Sequence, residues 1–320
     1  MTDQYGRPVR YLRISLTDRC NLRCRYCMPE QGVDLCAHAD LLRYEEIVAI
    51  ARAALACGID TFKLTGGEPL VRRGVPLLVA ALKELPGTRQ VTLTTNGLLL
   101  GDQLDALVAA GLDAVNVSLD TLDETQYHTL TRRAFAPGAV VDTVRAAARR
   151  LPVKINAVLL PETADQWLPL ARLAADPGVD VRFIEQMPIG KGQADPGLAG
   201  DKVLAALRQA WPDLAPCHEP RGNGPAHYYK SAGLTGRIGF IDAVSHRFCA
   251  SCNRLRLTCT GMLRPCLCYD DGTDLRALLR GGAGPDELKK AVEQAIAAKP
   301  EGHCFGAGHG SRQTMNRIGG

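Results

Sequence analysis

Cys20, Cys24 and Cys27 stand in a C-x3-C-x2-C spacing directly after a short apolar stretch. Thiolates are the ligands of soft metals and of iron–sulfur clusters. Three on one tight loop can grip three irons of a [4Fe–4S] cube. Such clusters are normally held by four cysteines, so a set of three implies either a distant fourth ligand or an iron left open to a substrate or cofactor. A second group lies near the other end of the chain. Cys249 and Cys252 are spaced C-x2-C, and Cys266 follows beyond a predicted hairpin. On composition alone this group also suits a structural zinc site, with Cys268 or Cys259 as the fourth thiolate.

The elements that must position these cysteines follow a βα rhythm. Strands are predicted at Tyr11–Leu16, Phe62–Thr65, Val91–Thr95, Ala114–Leu119, Val153–Leu159 and Val181–Glu185. Helical periodicity falls between them at Tyr44–Cys57, Val75–Leu85, Asp102–Ala110, Pro137–Arg150 and Asp165–Ala174, with Gly58, Gly87, Gly111 and Gly178 at the stops. Repeated βα units imply a parallel sheet with right-handed crossovers. The fold class expected is α/β, a partial (βα)6 TIM-like barrel, with a smaller C-terminal region carrying the second cysteine group.

The strands alternate, whereas parallel strands buried on both faces read as continuous apolar runs. Leu12, Ile14 and Leu16 oppose Arg13, Ser15 and Thr17; Phe62 and Leu64 oppose Lys63 and Thr65. Val91 and Leu93 oppose Thr92, Thr94 and Asn96; Val115 and Val117 oppose Asn116 and Ser118; Val153, Ile155 and Ala157 oppose Lys154 and Asn156. With period two, each set shares a face. The apolar face should meet the outer helices. The polar face should line a water- or ligand-filled cavity, because unpaired charges are too costly in a packed core. Arg13, Lys63 and Lys154 should point into it. The interleaved helices argue against the alternative, an antiparallel sheet with one wet face.

Gly66-Gly67-Glu68-Pro69 follows the second strand, and its glycines suit a close backbone approach to a ligand. Near Trp211-Pro212 the rhythm stops, and Pro216, Gly222, Gly224 and Pro225 mark a boundary between expected domains 1–212 and 213–320. A strand is predicted at Gly236–Ala243, a hairpin at Leu255–Thr258 and Met262–Pro265, and a helix at Pro285–Ala298.

Composition bounds the function class. In 320 residues, 46% apolar and 22% charged content suits a soluble globular chain. The net charge of +4 makes no case for a nucleic-acid partner. No apolar run reaches the length of a membrane span, and residues 1–8 are polar without a signal-peptide core, so a cytoplasmic protein with no membrane partner is expected. Twelve cysteines in such a chain point to metal or catalysis rather than disulfides. A colourless zinc-binding, nucleic-acid-binding module is the rival from another class.

The first cysteine triplet, with Tyr26 before its last member, resembles the signature of the radical S-adenosylmethionine (SAM) enzymes, and Gly66-Gly67-Glu68-Pro69 is similar to that superfamily's second motif. The pair of triplets, C-x3-C-x2-C and C-x2-C-x13-C, resembles one family within it, the GTP 3',8-cyclases of molybdenum-cofactor biosynthesis. Asn253-Arg254-Leu255-Arg256-Leu257, Arg182-Phe183-Ile184-Glu185-Gln186-Met187-Pro188 and the terminal Gly319-Gly320 agree. Cys259 and Cys268 depart from the pattern as extra thiolates. Cys36, Cys57, Cys217 and Cys304 read as packed or incidental cysteines.

The resemblance implies a first [4Fe–4S] cluster on Cys20, Cys24 and Cys27 and a second on Cys249, Cys252 and Cys266. It implies SAM contacts from Tyr26, Gly67, Ser118 and Met187. GTP would be held by Arg13, Lys63, Thr94, Lys154, Arg254, Leu255 and Arg256, three of which the alternation had already placed in the cavity. The 5'-deoxyadenosyl radical would take the C3' hydrogen of GTP, and the sugar radical would close onto C8 of guanine. Gly319 and Gly320, with Arg254 and Arg256, would act in catalysis. Implied partners are an electron donor, a second copy in a dimer, and the downstream cyclic pyranopterin monophosphate synthase. A peptide-modifying radical SAM enzyme with an auxiliary cluster is the nearest enzymatic rival.

Overall fold

In the computed structural model, residues 1–190, 198–219, 221–305, 311 and 313–319 are described. The alternating stretches form β1 (Tyr11–Ser15), β2 (Thr61–Thr65), β3 (Gln90–Thr95), β4 (Ala114–Ser118), β5 (Val153–Leu159) and β6 (Val179–Glu185). They pair in parallel in chain order. The crossovers carry α1 (Tyr44–Ala56), α2 (Val75–Lys83), α3 (Leu100–Ala109), α4 (Glu124–Thr131), α5 (Pro137–Ala148) and α6 (Trp167–Arg172). Gly58 and Gly111, at φ +83° and +88°, take the left-handed turn just past α1 and α3. Helix α4 escaped the periodicity because it is short and polar. Its start is nonetheless written in Asp123, whose carboxylate accepts the Gln126 N–H at 2.8 Å.

Beyond β6 come α7 (Gly200–Ala210), β7 (Ala215–Cys217), β8 (His227–Lys230), β9 (Ile238–Ile241), β10 (Arg254–Leu257), β11 (Met262–Arg264), β12 (Thr273–Asp274), α8 (Leu275–Arg280), α9 (Pro285–Ala297) and α10 (Met315–Ile318). These later strands join both edges of the same sheet. Strand β10 lies parallel beside β1, and β9 parallel beside β6. Antiparallel β11 and β12 extend one edge, and β8 and β7 the other, giving the order β12-β11-β10-β1-β2-β3-β4-β5-β6-β9-β8-β7. The α/β partial (βα)6 barrel is thus widened by its C-terminal region.

The expected alternation is realised. Leu12, Ile14, Phe62, Leu64, Val91, Leu93, Val115, Val117, Val153, Ile155, Val181 and Phe183 are buried in one continuous core with the inner faces of the helices. Ile47, Ile50 and Ala54 of α1 face that core, and α9 packs alongside through Leu288, Val292 and Ile296. Each such side chain stabilises the fold by about 1.5–3 kcal/mol relative to exposure. Removing them from water is what frees the opposite face of every strand for chemistry. No helix among the described residues is long and apolar enough to cross a membrane.

Candidate functional site

The polar strand face opens onto one cavity of about 350 Å³, within the range of small-molecule sites. Cys20, Cys24 and Cys27 line it at one end, and Cys249, Cys252 and Cys266 line it at the other. Arg13, Lys63, Thr94, Lys154, Arg254 and Arg256 stand between, together with Tyr26, Gly67, Ser118 and Met187. Leu255 does not: its side chain is buried in the core opposite Leu12, leaving only its backbone toward the sheet. Gly320 lies outside the described residues.

The first cysteine loop begins where β1 ends. It turns tightly, with the N–H groups of Cys27 and Met28 both donating to the Cys24 carbonyl, at 2.9 and 3.1 Å. The end of α4 holds it from outside. Arg23 N–H donates to the Thr131 carbonyl and Arg25 N–H to that of Leu130. Arg132, at φ 53°, is the only non-glycine residue with positive φ among those described, and its guanidinium donates to the carbonyls of Arg23 and Met28. Burial first, and then the neighbouring thiol charges, push Cys24 well above an ordinary thiol. Cys27 is raised to about 12 by burial and by Cys20. Cys20 is raised to about 11, mainly by burial. Three half-buried thiols that oppose each other's ionisation are suited to a cationic iron centre, which would reverse that opposition.

Gly66-Gly67-Glu68 packs onto this loop. A Cβ on Gly66 would sit 2.7 Å from the Thr17 carbonyl oxygen, and one on Gly67 would collide with the Arg19 carbonyl. The N–H of Gly67 donates to Thr17 O at 2.7 Å and that of Glu68 to Arg19 O at 2.8 Å. The close approach the glycines permit is therefore first to the cysteine loop itself. Glu68 is buried and accepts from Leu70 N–H, the Thr95 hydroxyl and Asn96 N–H. Burial outweighs these bonds and raises its carboxyl to about 7. Opposite, the Tyr26 hydroxyl donates to Asp120 at 2.8 Å, and Asp120 also accepts the Val158 N–H.

Strand register assembles the cations into rows. Arg256, Arg13 and Lys63 are consecutive partners across β10, β1 and β2. Thr94, Asn116 and Lys154 are partners across β3, β4 and β5. Asn116, with its amide oxygen turned toward them, accepts from Lys63 at 2.7 Å and Arg182 at 2.9 Å. Burial, then Arg182, Arg13 and Lys154, holds Lys63 well below an ordinary lysine. Lys154 falls to about 8 through burial and Arg182. Arg256 falls to about 9 through burial, Arg13 and Arg254. Cations that depress one another in this way await a polyanion, and arginine forks suit phosphate oxygens. The Thr94 hydroxyl is buried without a hydrogen-bond partner, a further sign of a missing ligand.

At the second triplet, Cys249 and Cys252 flank a single 3-10 turn before β10, and Cys266 follows β11. The chain's first residues brace it: Arg7, in a buried ion pair with Asp3 at 2.6 Å, donates to the Cys249 carbonyl at 2.8 Å. Burial would raise Cys252, but Arg254 and Lys299 outweigh it and bring the thiol to about 7. Lys299 Nζ lies 3.7 Å from Cys252 Sγ and donates to the carbonyls of Arg254 and Pro265. Cys268 also lines the cavity, and its N–H donates to Cys266 Sγ at 3.5 Å. Its own sulfur accepts the Cys304 N–H at 3.1 Å, so Cys304 belongs to this neighbourhood. Cys259 is elsewhere, beside Cys36 and Asp18.

The C-terminal helix α10 returns the chain to the cations. The Gly319 carbonyl accepts from Arg13 Nε at 2.8 Å and from Arg256 at 3.3 Å. Asn316 lines the cavity and donates to the Asp18 carbonyl at 2.9 Å. Sequence reasoning placed Asn156 on the cavity face but missed Tyr11 and Arg182 there, although both obey the same strand parity. It also missed Asp120 and Lys299, for which no local pattern exists.

The chain is similar to known proteins along its whole length. Residues 14–174 match the Radical SAM superfamily and residues 179–305 match Molybdenum Cofactor Synthesis C. A GTP 3',8-cyclase of Pelotomaculum thermopropionicum is 45% identical over 325 aligned residues, covering 100% of both chains. One from Moorella thermoacetica is 44% identical, again over 100% of both. Among solved structures, Streptococcus suis SuiB bound to precursor peptide SuiA superposes with TM-score 0.63 at 16% identity, over 92% of this chain and 66% of that one. That likeness concerns the fold alone.

Proposed function

We infer the reaction from one premise: the chain belongs to the GTP 3',8-cyclase family of the radical SAM superfamily. It converts GTP to (8S)-3',8-cyclo-7,8-dihydroguanosine 5'-triphosphate, the first step of molybdenum-cofactor biosynthesis, with SAM and two [4Fe–4S] clusters. Cys20, Cys24 and Cys27 hold the first cluster, and Cys249, Cys252 and Cys266 the second. When bound, the clusters and SAM supply the carbon radical that takes hydrogen from the ribose.

The protein's own part is to bind, orient and exclude water. Arg13, Lys63, Lys154, Arg254 and Arg256 hold the triphosphate, Thr94 donates its unpartnered hydroxyl, and Leu255 takes part through its backbone. Tyr26, Gly67, Ser118 and Met187 contact SAM. The Gly319 carbonyl holds Arg13 and Arg256 together, and the Gly319-Gly320 tail acts with Arg254 and Arg256 in the step after hydrogen removal. Residues 1–212 carry the SAM chemistry, and 213–320 close the nucleotide end. The enzyme works in the cytoplasm as a dimer, takes electrons from a partner reductant and passes its product to cyclic pyranopterin monophosphate synthase.

The observation that supports this reading best is the row of mutually depressed cations between two thiol triplets on one cavity wall. Anaerobic protein incubated with GTP, SAM and a chemical reductant should yield the cyclised nucleotide, identified by mass and chromatography. GTP, rather than any peptide, should protect the chain from proteolysis. Failure of both would remove the reading.

A further inference from the structure

Asp18, Cys36 and Cys259 converge from three places in the chain. Asp18 lies just before the first cysteine triplet, Cys36 in the later part of the same loop, and Cys259 in the turn between β10 and β11. A carboxylate oxygen of Asp18 and the two sulfurs all lie within 4.8 Å of one another. Asp18 and Cys259 are 1% and 2% exposed, and Cys36 is half-buried. Asp18 accepts the Cys36 N–H through Oδ2 at 2.7 Å, while its Oδ1 is buried with no hydrogen-bond partner. A buried carboxylate oxygen left without a donor is costly. None of the three residues lines the cavity.

We propose that Asp18, Cys36 and Cys259 form a third metal site that takes a thiophilic divalent cation of the zinc class. Cysteine thiolates and aspartate oxygens are each zinc ligands, and ligand atoms around a tetrahedral zinc stand about 3.5–3.8 Å apart. The observed spacing needs only a small inward movement. Each thiol releases its proton to solvent on binding, and solvent completes the coordination. Burial and the Asp18 charge push both thiols upward, a situation that a cation reverses. The turn holding Cys259 is already tied to the segment leading into α1, since Leu42 N–H donates to the Cys259 carbonyl at 2.8 Å. A metal here would pin the first cysteine loop to the C-terminal hairpin. It would have no part in the cyclisation itself.

The test uses protein with both clusters reconstituted anaerobically, given one equivalent of zinc, dialysed and analysed for zinc and iron. The site predicts about one zinc per chain in the wild type, falling at least fivefold in both Cys36→Ala and Cys259→Ala. Iron should be unchanged in these variants, which also shows that they are folded. No retained zinc in the wild type would overturn the proposal. So would undiminished zinc in the variants, or a Cys36–Cys259 disulfide found by peptide mapping.

Discussion

Lys154 illustrates what single residues contribute to this site. It is half-buried in the cavity wall, donates to the Arg221 carbonyl at 2.8 Å and is held at about 8 by its desolvation and Arg182. A triphosphate would restore its ordinary basicity, so binding takes up a proton once the free lysine has lost its own. GTP affinity should be flat below pH 8 and weaken by up to about tenfold per pH unit above it, measured by equilibrium binding. Lys154→Gln should lessen this dependence, leaving the part due to Lys63 and Arg256, and weaken binding at pH 7 by about tenfold. Stability of the unliganded chain should move the other way. The folded pKa lies below the unfolded 10.5, so the unfolded chain binds more protons between about 8 and 10.5. Stability therefore rises across that window. A flat binding profile through pH 9 would sink the assignment of Lys154 to the phosphates.

At the scale of elements, two short segments determine whether the cysteines and cations are correctly placed. Gly67 lies against the Arg19 carbonyl, where a Cβ has no room. Gly67→Ala should displace the first cysteine loop while sparing the second triplet. The expected result is roughly half the wild-type iron and no SAM cleavage, with GTP binding within about threefold of wild type. Retained SAM cleavage would show that the loop tolerates the shift. The tail is the second segment. Removing Gly319 and Gly320 deletes the carbonyl that Arg13 and Arg256 share. SAM cleavage in the presence of GTP should continue, and the cyclised product should disappear. Unchanged product would leave the tail a mere packing feature.

Legibility in the sequence follows these elements. Period-two alternation placed Arg13, Lys63 and Lys154 correctly, because burial of Ile14, Leu64 and Ile155 leaves their neighbours only one direction to point. The same rule extends to Arg182, flanked by Val181 and Phe183. It went unused because Arg182 was read only as part of a motif. What local pattern cannot reveal is which distant strands meet. The pairing of Arg13 with Arg256 joins residues far apart in the chain. Lys299, reaching Cys252 from beyond α9, is likewise set by tertiary packing. Cys259 looked like a possible ligand of the second triplet because it is close in sequence to Cys266, yet the hairpin turn carries it to Asp18 and Cys36.

For the whole molecule, widening the sheet at both edges turns a half-barrel into a two-ended chamber. Strand β10 brings the second triplet to one side of β1, and the loop after β1 brings the first triplet to its end. On the proposed assignment each triplet would leave one iron for a non-protein ligand, with Cys268 the further thiol lining the cavity beside Cys266. The direct test is to compare wild type with Cys252→Ala, both purified anaerobically, for iron content, SAM cleavage and cyclised GTP. The wild type should carry about eight irons per chain and the variant about four, with SAM cleavage retained and ring closure lost. Ring closure at the wild-type rate in Cys252→Ala would contradict the two-cluster chamber outright.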